Sequence, residues 1–140
     1  MGSESDRPPQ PKAAPQRIVV CDDDDTLTDL LDYLLTKEGF EVRIANDGER
    51  AIELLKETKP SLLILDLDMP AKSGFEVLAE MVHREEYQDT GVVVLSGHEK
   101  EEDIQRALRL GGLAFFIKPF NSVELVQKVK LLLTREVPDA

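Results

Sequence analysis

Hydrophobic and polar positions follow two alternating periods along the chain from residue 17 onwards. Five short segments are rich in Val, Ile, Leu or aromatic residues. Three of them are continuous apolar runs, which are typical of parallel strands covered on both faces. The pattern therefore predicts five strands: Ile18–Asp22, Glu41–Ala45, Leu62–Asp66, Val92–Ser96 and Ala114–Ile117.

Helical patterns lie between these strands and after the last one. In the first, apolar residues recur at the i, i+3, i+4, i+7 spacing of an amphipathic helix, and Gly39 favours its end. Four more helices are predicted around Ile52, Leu78, Ala107 and Val126. Regular alternation of strands and helices predicts an α/β fold, a doubly wound parallel sheet with right-handed crossovers and helices on both faces.

The chain is predicted to form one folded domain with short tails. Residues 1–16 are polar and contain four prolines, so we expect a disordered N-terminal tail. Residues 17–135 contain all the periodic segments, and residues 136–140 form a C-terminal tail.

The amino-acid composition makes some classes of binding partner and cellular location less favourable than others. The formal net charge is −11, which disfavours direct binding to nucleic acid or to anionic membranes. The chain contains no apolar run of the roughly 18 residues that a membrane span needs, and no signal-peptide pattern at its N-terminus. A cytoplasmic location is expected. The one cysteine excludes an internal disulfide framework, and its place in a strand favours a buried role.

Polar side chains follow several of the predicted strands. Asp22 and Asp23 end the first strand, Asp66 the third, Ser96 the fourth, and Lys118 follows the fifth. Parallel strands place their carboxyl ends at one edge of the sheet, where α/β folds bind ligands. We expect the three carboxylates to raise one another's pKa and to need both a divalent cation and an ammonium group. The EF-hand pattern fails here, and Mg²⁺ fits the acids better.

Some of these residues and their neighbours also have a purely structural interpretation. Asp24 or Asp25 can cap the first helix, Ser96 can be a turn residue, and Lys118 can be an ordinary surface lysine. Taken together, a carboxylate, Mg²⁺, a hydroxyl and an ammonium group favour phosphoryl transfer with Asp66 as the acceptor.

The chain resembles the receiver domains of bacterial two-component response regulators over about residues 17–135. Four motifs in the expected order carry the resemblance: Ile18–Asp23, Leu62–Asp66 with Met69-Pro70 and Gly74, Val94–Gly97, and Lys118–Phe120. The resemblance implies a flavodoxin-like sheet of order 2-1-3-4-5 with five helices. It also implies that a histidine kinase or phosphotransfer protein donates a phosphoryl group to Asp66.

The resemblance assigns roles to the other site residues. It implies that Mg²⁺ is bound by Asp22, Asp23, Asp66 and the backbone carbonyl of Asp68. Ser96 would contact the phosphoryl group, and the Lys118 ammonium group would form an ion pair with it. The peptide bond between Lys118 and Pro119 resembles one that is usually cis in this family. Phe115 would act as the switch aromatic.

The implied output is a change of the surface formed by the fourth helix, fifth strand and fifth helix. This surface would control binding of a downstream protein or self-dimerisation. Phe115 lacks the hydroxyl of a tyrosine, and Asp68 and His98 flank the phosphoryl position, where we expect them to affect the lifetime of the phosphate. Slow autodephosphorylation is the only other chemistry expected.

Three other functions remain open on sequence grounds. Asp66-Leu67-Asp68 is similar to the nucleophile motif of haloacid-dehalogenase-type phosphatases, although Pro70 replaces the Thr or Val of that motif. A flavodoxin-like flavin binder would share the sheet order, but four aspartates would repel its phosphate. The third is a pseudo-receiver that acts only as a protein-interaction module.

Overall fold

A parallel five-stranded sheet with helices on both faces forms the centre of the computed structural model, which describes residues 14–97 and 100–134. The strands are β1 (Arg17–Cys21), β2 (Glu41–Ala45), β3 (Leu62–Asp66), β4 (Gly91–Ser96) and β5 (Gly112–Ile117). The helices are α1 (Asp25–Lys37), α2 (Gly48–Thr58), α3 (Gly74–Val82), α4 (Glu101–Arg109) and α5 (Ser122–Leu133). Most of the predicted N-terminal tail, all of the predicted C-terminal tail and His98 lie outside the described residues.

The strand order is β2-β1-β3-β4-β5, as the family resemblance implied. All four strand pairings are parallel, so the carboxyl ends of β1, β3 and β4 lie next to one another. The predicted strands are confirmed with small shifts at their ends. Strand β1 ends at Cys21, one residue earlier than predicted, which places Asp22 just beyond the strand. Strand β5 begins at Gly112 instead of Ala114, because Gly112 pairs with Val92.

Two apolar cores lie on opposite faces of the sheet. Alternate residues of β1 and β3 point to each face, and this explains why both strands are apolar without interruption. One core joins Val19 and Leu63 to α2, α3 and α4. The other joins Val20 and Ile64 to α1 and α5. The central strands are therefore held from both sides, which fixes the residues at their carboxyl ends.

The first helix begins immediately after the acidic run. Asp24 is its N-cap, and its carboxylate accepts hydrogen bonds from the backbone N–H groups of Thr26 and Leu27 at 3.0 and 3.3 Å. The capping role predicted for this residue is confirmed. Asp22 and Asp23 precede the cap and lie at the edge of the sheet.

A short 3₁₀ turn, Glu85–Tyr87, was not predicted. Within the described ranges, no helix is both long and apolar enough to cross a bilayer.

Candidate functional site

Three carboxylates meet at the carboxyl edge of the sheet. Asp22 and Asp23 follow β1, and Asp66 ends β3, the strand that pairs with β1. One carboxylate oxygen from each residue lies within 4.8 Å of the other two. Asp22 and Asp66 are buried, with 0% and 1% exposure, whereas Asp23 is exposed. The structure thus brings together the acids that the sequence placed at one edge.

The ammonium group of Lys118 lies against two of these carboxylates. Its Nζ is 2.8 Å from Asp22 Oδ2 and 3.4 Å from Asp66 Oδ2. The backbone of Lys118 is held by its N–H donating to the carbonyl of Ser96 at 2.8 Å, and the following peptide bond to Pro119 is cis. Burial lowers the pKa of Lys118, but the hydrogen bond to Asp22 and the nearby negative charges outweigh it, so the pKa lies above its usual value. The group therefore remains a cation at neutral pH.

The carboxyl group of Asp66 has a perturbed acidity. Burial is the largest cause and raises its pKa to about 6, with the charge of Asp22 acting in the same direction. The backbone N–H of Asp68, which donates to Asp66 Oδ1 at 3.0 Å, and the charge of Lys118 lower the pKa of Asp66 and offset part of this effect. The expected rise is thus found, although burial contributes more to it than repulsion between the acids. At pH 7 the group is mainly ionised and can act as a nucleophile.

The hydroxyl of Ser96 has a partner that the sequence did not suggest. Ser96 is buried at the end of β4, with 1% exposure, and its Oγ donates to Asp68 Oδ2 at 3.1 Å. The backbone N–H of Gly97 donates to the same oxygen at 2.9 Å. Contact of this hydroxyl with a phosphoryl oxygen on Asp66 stays a prediction. The acid two residues after Asp66 is the feature of the sequence from which the contact with Asp68 could have been suggested.

Phe115 lies on β5, opposite Val94 of β4. Its ring is partly buried and packs against the core formed with α2, α3 and α4, whereas its neighbour Phe116 packs on the other core. Phe115 is therefore beside α4 and two strand positions before Ile117, the partner of Ser96. Its role as a switch stays a prediction.

The donor set of the acidic cluster fits a small divalent cation. Asp22, Asp23 and Asp66 offer hard carboxylate oxygens, the ligands that Mg²⁺ prefers. Their combined negative charge exceeds what the single charge of Lys118 neutralises, and two of the three acids are buried. Close carboxylates in a buried place are costly unless a cation compensates them. The cluster therefore has both the ligands and the electrostatic need for a metal ion.

Comparisons with known proteins agree with this geometry. A family model for the response regulator receiver domain matches residues 18–130, which is most of the chain. The chain belongs to this family of two-component signalling domains. As a signalling domain of this kind, it is neither a haloacid-dehalogenase-type phosphatase nor a flavin-binding flavodoxin.

Individual relatives show the same fold. The chain is 42% identical over 119 residues to the transcriptional regulatory protein CpxR of Klebsiella pneumoniae, covering 85% of this chain but 50% of that protein, so it spans about half the length of this relative. The chemotaxis protein CheY4 of Vibrio cholerae is 25% identical with a TM-score of 0.79, covering 86% of this chain and all of that one. The response regulator TrrA of Thermotoga maritima, solved with Mg²⁺ and BeF, is 32% identical with a TM-score of 0.73, covering 84% of this chain and 99% of that one.

Proposed function

We propose that the chain is a phosphorylation-dependent switch in which Asp66 accepts a phosphoryl group. One observation carries the proposal: the buried Asp66 carboxylate lies between two other acids and the Lys118 ammonium group, 3.4 Å from its Nζ. A buried carboxylate beside other charged groups, with a raised pKa, is a candidate functional residue. The ammonium group of Lys118 can compensate the negative charge of a phosphoryl group on Asp66.

In the proposed physiological transfer step, the donor is a phosphorylated histidine. An oxygen of Asp66 forms a bond to phosphorus while the bond between phosphorus and the donor imidazole nitrogen breaks. The electron pair of that bond stays on the nitrogen. Lys118 contacts Asp22 and Asp66 in the unphosphorylated protein and is placed to pair with an oxygen of the incoming group. Such positioning and charge neutralisation are the main protein contributions to phosphoryl transfer.

The acids beside Asp66 are proposed to hold Mg²⁺. Asp22, Asp23 and Asp66 supply side-chain oxygens, and the backbone carbonyl of Asp68 is the fourth proposed protein ligand. When bound, Mg²⁺ would neutralise charge on the acceptor and on the transferred group. The Mg²⁺ and BeF bound by TrrA support this assignment.

The donor is proposed to be a histidine kinase or a phosphotransfer protein, with slow autodephosphorylation afterwards. The output is proposed to pass through the surface formed by α4, β5 and α5, which exposes Leu108, Leu113 and Leu131. Exposed large apolar side chains on one surface favour protein binding, either to a downstream target or to a second copy of the chain. The absence of direct nucleic-acid or membrane contact by this chain and its cytoplasmic location stay predictions, as does the domain boundary at residues 17–135.

Intact-mass spectrometry tests the proposal. We expect wild-type protein incubated with acetyl phosphate and Mg²⁺ to gain the mass of one phosphoryl group, and Asp66→Asn to gain none. Asp89→Asn is a matched control, since it removes one carboxylate just before β4, at the opposite edge of the sheet, and should be modified like the wild type. An unmodified wild type would favour the pseudo-receiver alternative, and equal modification of Asp66→Asn would move the acceptor to another residue.

A further inference from the structure

Asp68 connects the acceptor residue to the switch hydroxyl. Its backbone N–H donates to Asp66 Oδ1 at 3.0 Å. Its side-chain Oδ2 accepts from Ser96 Oγ at 3.1 Å and from the backbone N–H of Gly97 at 2.9 Å. Asp68 Oδ2 therefore links the segment after β3 to Ser96 at the end of β4 and to Gly97 in the following loop.

These hydrogen bonds involve a charged acceptor. Hydrogen bonds to an ionised carboxylate are stronger than bonds between neutral groups. Ser96 is buried, with 1% exposure, and the exposed Asp68 supplies an acceptor for its hydroxyl. The arrangement thus favours one position of Ser96 and Gly97 in the unphosphorylated protein.

Phosphorylation of Asp66 sets up a competition for this hydroxyl. A serine hydroxyl has one proton to donate. If it donates to a phosphoryl oxygen on Asp66, it can no longer donate to Asp68. The phosphoryl group carries about −1.5 to −2 charges and replaces the single charge of the Asp66 carboxylate, so negative charge close to the Asp68 carboxylate increases, and like charges repel.

We propose that Asp68 is a positioning residue that holds Ser96 and Gly97 in the unphosphorylated arrangement and competes with the phosphoryl group for the Ser96 hydroxyl. The inference rests on the proposed function of Asp66. Removal of the Asp68 carboxylate is therefore expected to shift Ser96 and Gly97 from the unphosphorylated arrangement towards the arrangement of the phosphorylated protein. Asp68 acts through Ser96 and does not itself accept the phosphoryl group.

Beryllofluoride, a phosphoryl analogue, is a suitable probe for this competition. Asp68→Ala removes the side chain but keeps the backbone carbonyl that is proposed to bind Mg²⁺. In an NMR titration with Mg²⁺ and beryllofluoride, we expect this variant to bind about fivefold more tightly than wild type, the size expected for losing a competing charged hydrogen bond. Asp68→Asn should fall between the two, because it keeps a neutral acceptor. The control Asp89→Asn should bind like the wild type.

A double-mutant cycle separates this competition from simple charge repulsion. In a Ser96→Ala background there is no hydroxyl to compete for, so we expect the gain from Asp68→Ala to fall below about twofold. An equal gain in both backgrounds would show that only the charge of Asp68 matters and would overturn the inference. Failure of the wild type to bind beryllofluoride would overturn the proposed function and the inference built on it.

The free protein provides an independent readout of the same contact. The amide proton of Gly97 donates to Asp68 Oδ2 in the structure. Its resonance should therefore shift upfield and its exchange with solvent should accelerate in Asp68→Ala, without Mg²⁺ or beryllofluoride. An unchanged Gly97 amide would overturn the inference whether or not beryllofluoride binds. Should Asp68→Ala fail to fold, Asp68→Asn gives the same comparison with a smaller expected change.

Discussion

At the scale of the residue, Asp66 combines burial with an ionisable group. Its side chain is almost inaccessible to water, and its pKa is raised to about 6, mainly by burial. A carboxyl group with a higher pKa in the folded state stabilises folding when it is protonated. That contribution is complete below the usual value of 3.8 and is lost as pH rises through about 6. Ionised Asp66 thus lowers the stability of the folded state at neutral pH, a cost that the proposed acceptor role would explain.

We expect Asp66→Asn to be more stable than wild type at pH 7 in the absence of metal. The neutral amide avoids the cost of a buried charge, and Lys118 keeps its partner Asp22. The melting temperature should rise by on the order of 5 °C at pH 7, and the difference should vanish near pH 4. Thermal melts in EDTA at both pH values measure this. An equal or lower melting temperature for the variant at pH 7 would contradict the raised pKa.

At the scale of the element, the connection between β3 and α3 is tightly packed where α3 begins at Gly74. Gly74, the first residue of α3, donates its backbone N–H to the carbonyl of Leu67. A Cβ at Gly74 would lie against the Asp66 carbonyl oxygen and within 2.6 Å of Leu67 Cα. These are backbone atoms, so the helix or the strand end would have to move.

Gly74→Ala should therefore lower the free energy of unfolding by about 3 kcal/mol, the upper range for overpacking against a rigid neighbour. Gly97→Ala is the matched comparison, since among the described residues its Cβ would meet only Asp68 Oδ2, at 3.9 Å. That change should cost less than about 1 kcal/mol. Urea unfolding measures both variants. Similar losses for the two would contradict the packing argument.

The elements themselves were largely predictable from the sequence. Strand β3 has the bounds that its apolar run predicted, because buried strands of a parallel sheet need apolar residues on both faces. Strand β2, a partly buried edge strand, also has its predicted bounds. The grouping of Asp22, Asp66 and Lys118 followed from the common edge of parallel strands. The order of all five strands depended on the family resemblance, since periodicity does not record which strands are neighbours.

The contact between Asp68 and Ser96 could not be predicted from the sequence. A sequence places a residue on a loop, but the direction of a short side chain depends on the backbone angles of that loop. The 3₁₀ turn Glu85–Tyr87 was missed for a similar reason, because three residues are too few to show a period.

At the scale of the whole molecule, a chemical change at one edge of the sheet has to reach a surface. Strand β5 links the two regions: Lys118 follows its end, Phe115 lies within it, and Leu113 is exposed near its start. It is an edge strand whose residues are less buried than those of β3 and β4. A shift of this partly buried strand would disturb the two cores less than a shift of β3 or β4, which suits a switch between two arrangements.

Binding of Mg²⁺ should also be visible in global stability. A cation that binds only the folded state raises its stability by mass action, by about 2.7 kcal/mol at a hundred times the dissociation constant. Asp23 is an exposed member of the acidic cluster. We expect Mg²⁺ to raise the melting temperature of wild type, and Asp23→Asn to lose most of this increase with little change in EDTA. The same increase in Asp23→Asn would exclude it as a ligand.

Asp66, rather than a neighbouring acid, is proposed to receive the phosphoryl group. Protein treated with acetyl phosphate and Mg²⁺ can be reduced with borohydride, which converts an aspartyl phosphate into homoserine, and then mapped by tandem mass spectrometry. We predict homoserine at position 66 and unmodified aspartate at positions 22 and 23. Homoserine at either of those positions, or none at position 66, would contradict this account.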